Sequence, residues 1–134
     1  MRLLLDTHIL LWAAADMLPI SATEYILNEE NELFFSPASI WEVVIKRGLS
    51  TAGGLAGAGF DVDPYLLHSG LLENGYTQLN ITSQHTLLTG TLPVIHKDPF
   101  DRILLAQSIA EGIPLLTADS FLAKYPASVI LIKK

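Results

Sequence analysis

Short runs rich in Leu, Ile, Val or Phe alternate along this chain with helix-length segments, and that alternation admits few folds. A strand covered on both faces has no polar face to alternate, so it reads as a continuous apolar run. Helical crossovers between such runs return the chain parallel to itself. Strands are expected over 2–5, 33–36, 78–81, 114–117 and 128–132, each short enough to be a buried central strand. Helices are expected over 7–15, 37–47, 64–73, 83–88 and 99–111. Several have recognisable starts: Ser36 before Pro37 and Asp63 before Pro64 read as N-cap and first helical residue, and Ser21 with Glu24 reads as a capping box for another helix. The class is α/β with a parallel sheet, and no internal repeat interrupts it.

With 134 residues, 50% hydrophobic and 16% charged, the chain is long enough for one domain over 1–134 with a sizeable core. Eight basic against 14 acidic residues give a formal charge of −6, which leaves no footprint of a broad basic surface for nucleic acid. A polyanionic substrate would need cations from another source. Cysteine is absent, which removes disulfides, thiolate metal sites and a thiol nucleophile, and fits a reducing interior. Asp6 and His8 interrupt the apolar start MRLLLDTHILLW before it can read as a signal peptide, and no run approaches the roughly 20 apolar residues of a membrane span. A soluble cytoplasmic protein with no membrane partner is expected. The mean hydropathy of +0.39 suggests apolar surface that a partner or a second copy covers. The segment TAGGLAGAG over 51–59 reads as a linker or flap, since no Gly-Lys-Ser/Thr follows it.

The acids carry the chemistry. In an open parallel sheet, ligands bind outside the carboxyl ends of the strands. Asp6 directly follows the first strand, Asp119 follows PLLT, Glu42 lies early in the helix after LFFS, and Asp101 lies in the first turn of the helix that begins DPFDR. All four belong to one edge. Taken singly each has a plain explanation: Asp6 and Asp119 as helix caps, Asp98 as the N-cap before Pro99, Asp101 as a capping-box acid, and Glu42 as the i, i+4 partner of Lys46. Taken together, four carboxylates about 5 Å apart would repel by on the order of 3 kcal/mol per pair at an effective dielectric of about 20. Either some hold protons or a cation sits among them. Oxygen donors alone suit Mg²⁺ or Mn²⁺ better than Zn²⁺. His8, His68, His85 and His96 offer no paired helical spacing for a nitrogen site and read as structural or surface residues. Lys46, Arg47, Lys97 and Arg102 flank the acids; Lys46 and Arg102 could touch neighbouring phosphates, or these cations could simply pair with the acids.

The blocks LLLDTHILLW, SPASIWEVVIKRG, LPVIHKDPFDRILLAQS and GIPLLTADSFLAKY, in this order, resemble the PIN-domain ribonucleases, specifically the bacterial VapC-type toxins of toxin–antitoxin pairs. The resemblance implies a PIN-like three-layer α/β/α fold with a central parallel sheet of about five strands. It implies endonucleolytic RNA cleavage dependent on Mg²⁺ or Mn²⁺, leaving 5′-phosphate and 3′-hydroxyl ends, and frequent homodimerisation. Carried over by position, the catalytic and metal-holding acids are Asp6, Glu42, Asp101 and Asp119, with Asp98 as an auxiliary acid and Thr117 and Ser39 lining the site. It also implies a cognate antitoxin whose tail covers an apolar groove and places a basic side chain near the carboxylates. The glycine-rich 51–59 departs from the shorter, more charged connection of the family. Two other readings compete: a non-catalytic doubly wound interaction domain with acids that only cap helices, and a phosphotransfer domain of receiver or aspartyl-phosphatase type. The last is weakened because DTH lacks a second acid two residues on, and no acid follows QLNI.

Overall fold

The computed structural model describes residues 1–51, 60–95 and 97–133. Of the glycine-rich 51–59, expected as a linker or flap, 52–59 lie outside the described residues, as does His96. Five strands, β1 (Arg2–Leu5), β2 (Glu32–Phe35), β3 (Thr77–Gln78), β4 (Leu115–Thr117) and β5 (Val129–Leu131), form one sheet in the order β3-β2-β1-β4-β5. Every neighbouring pair is parallel. The described helices are α1 (Thr7–Ala14), α2 (Ile20–Leu27), α3 (Pro37–Thr51), α4 (Pro64–Glu73), α5 (Ser83–Thr89) and α6 (Pro99–Glu111).

Side-chain alternation divides the core into two layers. Leu3 and Leu5 of β1, Leu33 and Phe35 of β2 and Leu116 of β4 point to one face, where they meet Ile9 and Leu10 of α1, Ala22 of α2, Val43 of α3 and Leu67 and Leu71 of α4. Leu4, Phe34 and Leu115 point to the other, against Leu104 and Leu105 of α6 and Leu122. The three central strands are therefore buried on both sides, which is why they read as unbroken apolar runs. The expectation of burial fails at the edges: β3 is exposed at both of its residues, and β5 is only partly covered. An edge strand has one neighbour, so its apolar residues answer to fewer contacts.

Local chemistry sets the helix ends. Asp98 accepts from Phe100 N at 2.9 Å and Pro99 follows it, while Gly112 closes α6 at φ 66°, a left-handed conformation that favours glycine. Asp63 caps α4 in the same way, accepting from Tyr65 N at 2.9 Å. The capping box expected at Ser21 and Glu24 does not form. Helix α2 starts two residues earlier, after Pro19 as its cap, and Ser21 Oγ instead donates to the Lys133 carbonyl at 2.6 Å. A capping box occurs at α5, where Thr82 accepts from His85 N and the Thr82 amide donates to His85 Nδ1 at 3.0 Å. Accepting at Nδ1 leaves the buried His85 to donate from Nε2 to Glu111 of α6, 3.0 Å away.

Leu116 has no exposure and packs in the larger core layer, whereas Leu131 on the edge strand is 44% exposed. Leu116→Ala is expected to lose about 2–5 kcal/mol in urea unfolding, and Leu131→Ala less than about 1 kcal/mol.

Candidate active site

The sheet order places a crevice at the carboxyl end of β1 and β4, where the chain's direction of strand addition reverses. Leu5 pairs with Leu116, and the next amide, Asp6 N, donates to the Leu116 carbonyl at 3.0 Å. Asp6 thus leaves the sheet beside β4. Its side chain caps α1, accepting from His8 N at 3.4 Å through Oδ1, while Oδ2 accepts from the hydroxyl of Thr117. The same hydroxyl accepts from Asp119 N at 3.0 Å. Asp119 in turn accepts from Phe121 N at 2.9 Å, which shapes the turn into the short 3-10 segment Leu122–Lys124.

The other acids arrive on helices. Ser36 Oγ accepts from Ala38 N at 3.1 Å and starts α3, placing Glu42 in its second turn, buried at 3% exposure. Thr7 donates to Ser39 at 2.9 Å, a buried bond that ties the start of α1 to α3. Asp98 and Asp101 enter with the first turn of α6, and Asp101 is buried while Asp98 is partly open. Asp6, Glu42, Asp98, Asp101 and Asp119 line one cleft of about 380 Å³, together with His8, Trp12, Lys46 and Ala118.

All five acids singled out in the sequence therefore share a cavity. Ser39 and Thr117 do not line it; they stand behind it, buried, as hydrogen-bonding supports of α1 and Asp6. Arg102 is not drawn in either. Its guanidinium donates to the carbonyls of Thr89, Pro93 and Leu92 at 2.7, 2.9 and 3.2 Å, so it anchors the segment after α5 instead of facing a phosphate. Lys46 does enter: Nζ is 2.5 Å from Glu42 Oε2 and 3.5 Å from Asp98 Oδ2. His68 packs its ring against Phe35 away from the acids, 5.9 Å between centroids. The aromatic wall was missed in the sequence. His8 packs edge-on against Phe60 at 5.3 Å and lies 6.1 Å from Trp12. The DTHILLW spacing puts Trp12 four residues beyond His8, on one helix face, and that was the available signal.

Crowding shows in the titration of the acids. Burial raises Asp6, against the lowering effect of the Thr117 hydrogen bond and of His8, with Glu42 adding to the rise. Asp101 is pushed up to about 8, first by burial and then by Asp6, Asp98, Glu42 and Asp119. Burial pulls Lys46 down, but its bonds to Glu42 and Asp98 outweigh this and hold the ammonium above its ordinary value. Glu42 Oε1 is buried and has no hydrogen-bond partner. A buried carboxylate oxygen left open, beside two acids that burial raises, fits a hard divalent cation with oxygen ligands. Among the described residues, no three Asp, Glu or His side chains are already gathered so that they could hold an ion.

A family model described as PIN domain matches residues 3–127. No curated protein matches. Among solved structures, VapBC2 from Rickettsia felis bound to a DNA fragment from its promoter is similar with a TM-score of 0.68 at 18% identity, covering 99% of this chain and 98% of that one. DNA-bound VapBC from Salmonella typhimurium follows at 0.66 and 15%, covering 97% of each chain. VapBC-5 from Mycobacterium tuberculosis, a toxin–antitoxin system member, gives 0.63 and 12%, covering 99% and 98%. At such identities the likeness is one of fold.

Asp101 has an ordinary value of 3.8 and a folded value of about 8. Between these the folded state keeps a proton that the unfolded chain has released, so this group's contribution to stability falls as pH rises through that window and levels off above it. In metal-free buffer, Asp101→Asn should gain on the native chain by at least about 1 kcal/mol between about pH 5 and about pH 8. Paired urea unfolding curves read this, and parallel pH profiles for the two proteins would refute it.

Proposed function

The chain belongs to the PIN domain family, and from that premise we propose that it is a single-domain, metal-dependent endoribonuclease, the toxin of a toxin–antitoxin pair. The observation that carries this reading is the convergence of Asp6, Glu42, Asp98, Asp101 and Asp119 in one cleft at the carboxyl edge of the sheet. Asp6, Glu42, Asp101 and Asp119 are assigned as the catalytic acids that hold Mg²⁺ or Mn²⁺, with Asp98 auxiliary. The bound ion supplies a water of lowered pKa, charge neutralisation at the leaving oxygen and orientation of the phosphodiester.

The protein's own groups do the rest. Thr117, by donating to one oxygen of Asp6, fixes how that carboxylate is turned and favours its ionised form. The bond from Thr7 to Ser39 holds the Asp6 and Glu42 helices at constant separation. Lys46 lines the cleft, paired with Glu42 and Asp98, and would reach an RNA phosphate only on leaving Glu42. With a bound divalent ion supplying positive charge where the backbone is cut, the acidic chain would need no broad basic surface.

A capping-only reading has one observation in its favour: Asp6, Asp98 and Asp119 each accept a backbone N–H at a turn or helix start. It leaves unexplained why Glu42 and Asp101, buried at 3% and 9% exposure and capping no helix start, converge on the same cleft. An antitoxin segment and a second copy of the chain are the proposed partners. Support comes from an apolar groove of about 490 Å³ between α3 and α4, beside Trp41 at 61% and Tyr65 at 86% exposure. A cytoplasmic place of action is part of the same proposal; no described helix is long and apolar enough to cross a membrane.

RNA cleavage stimulated by Mn²⁺ should fall at least about a hundredfold in Asp6→Asn, measured on labelled RNA. Cleavage that survives this change intact would sink the assignment. In calorimetric titration with Mn²⁺, Asp101→Asn should weaken binding far more than Asp98→Asn; no heat of binding to the native chain would favour the capping reading.

A further inference from the structure

Lys46 already pairs with one of the acids assigned to the metal. Its ammonium lies 2.5 Å from Glu42 Oε2, while the other oxygen of that carboxylate is buried without a partner. Asp98 Oδ2 is the ammonium's second acceptor, at 3.5 Å. Two aromatic faces flank the same position, with Phe60 and Phe100 ring centroids 4.9 and 5.8 Å from Nζ. In this arrangement no three acids among the described residues are gathered to hold an ion.

Two cations sharing Glu42 would repel each other. A Mg²⁺–oxygen bond is about 2.0–2.1 Å, so an ion bound to Glu42 with Lys46 unmoved would face the ammonium across one carboxylate. At such a separation like charges repel by several times RT even at an effective dielectric of about 20. The lysine has somewhere to go. Its stem is flexible, Asp98 already shares its charge, and the Phe60 and Phe100 faces attract a cation from both sides.

We propose that Lys46 is the resident counter-cation of the metal-free cleft, that a divalent ion must displace it from Glu42, and that Asp98 receives the displaced ammonium. The inference rests on the metal-dependent reading above and adds a regulator to it. Lys46 lowers the cleft's affinity for metal, and Asp98 raises that affinity by giving the ammonium a second site. Both are positioning residues in this role. The coupling between them separates it from ordinary ligation, because a ligand at 98 would matter whether or not a lysine were present at 46.

The test is a Mn²⁺ titration of the 134-residue chain followed by the electron paramagnetic resonance of free Mn²⁺, with no RNA present. Lys46→Met should bind Mn²⁺ on the order of tenfold more tightly than the native chain. Lys46→Arg, which keeps the charge, should stay near the native value, and Lys46→Gln should follow Lys46→Met, so the result does not hang on the folding of one variant. Asp98→Asn should weaken Mn²⁺ binding in the native background and leave it nearly unchanged in Lys46→Met. Equal or weaker binding in both neutral variants overturns the inference while leaving a metal site intact, as does an equal loss from Asp98→Asn in both backgrounds. If neither the native chain nor Lys46→Met binds Mn²⁺, the metal-dependent reading itself fails.

Discussion

The pairing of β1 with β4 is the interaction on which the rest depends. It sits at the centre of the sheet, with β2 and β3 added on one side and β5 on the other. Both strands are apolar on both faces, so their register is held by two core layers at once. A slip of one residue would send Leu3 and Leu5 to the face that now holds Leu4, against helices shaped for other side chains. It would also separate Asp6 from the Leu116 carbonyl and from the Thr117 hydroxyl. The position of Asp6 thus follows from the register of the two strands beneath it.

That core also tolerates an unfavourable cluster of charge. Asp6 is raised by burial, and Asp101 by burial and by its acidic neighbours, so the fold carries carboxylates whose ionised forms are disfavoured. Local bonds moderate the conflict without removing it: Thr117 stabilises ionised Asp6, and Lys46 bridges Glu42 and Asp98. Residues that lower stability and converge in a cleft are what a functional site looks like energetically. The PIN fold explains why they converge, since strand ends and helix starts meet at one edge.

Much of this was legible locally. Helices α4 and α6 run over the bounds that their sequence predicts, because Asp-Pro at the start and, for α6, glycine beyond the end act through neighbouring backbone alone. The start of α2 was misread, because Ser21 found a distant partner in the Lys133 carbonyl and Pro19 already preset the turn. The edge strands came out shorter than expected, since β3 pairs on one side only and ends where Leu79 N takes the Phe35 carbonyl. Of the residues that line the cleft, the five acids were singled out in the sequence and Trp12 was not, while Arg102 turns to carbonyls outside it: an acid at a strand end is constrained by position, but a long side chain goes wherever its reach finds a partner.

The sequence by itself determined the alternation of strands and helices, the capped helix starts, and the presence of Asp6, Glu42, Asp101 and Asp119 on one edge. These are short-range properties, set by periodicity and by residues next to each other in the chain. Only the tertiary structure decided that β4 lies beside β1, that Thr117 therefore holds Asp6, that Arg102 faces carbonyls, and that Lys46 stands between Glu42 and Asp98. Strand order and side-chain reach depend on contacts between residues far apart in the chain, and no local pattern encodes those distances.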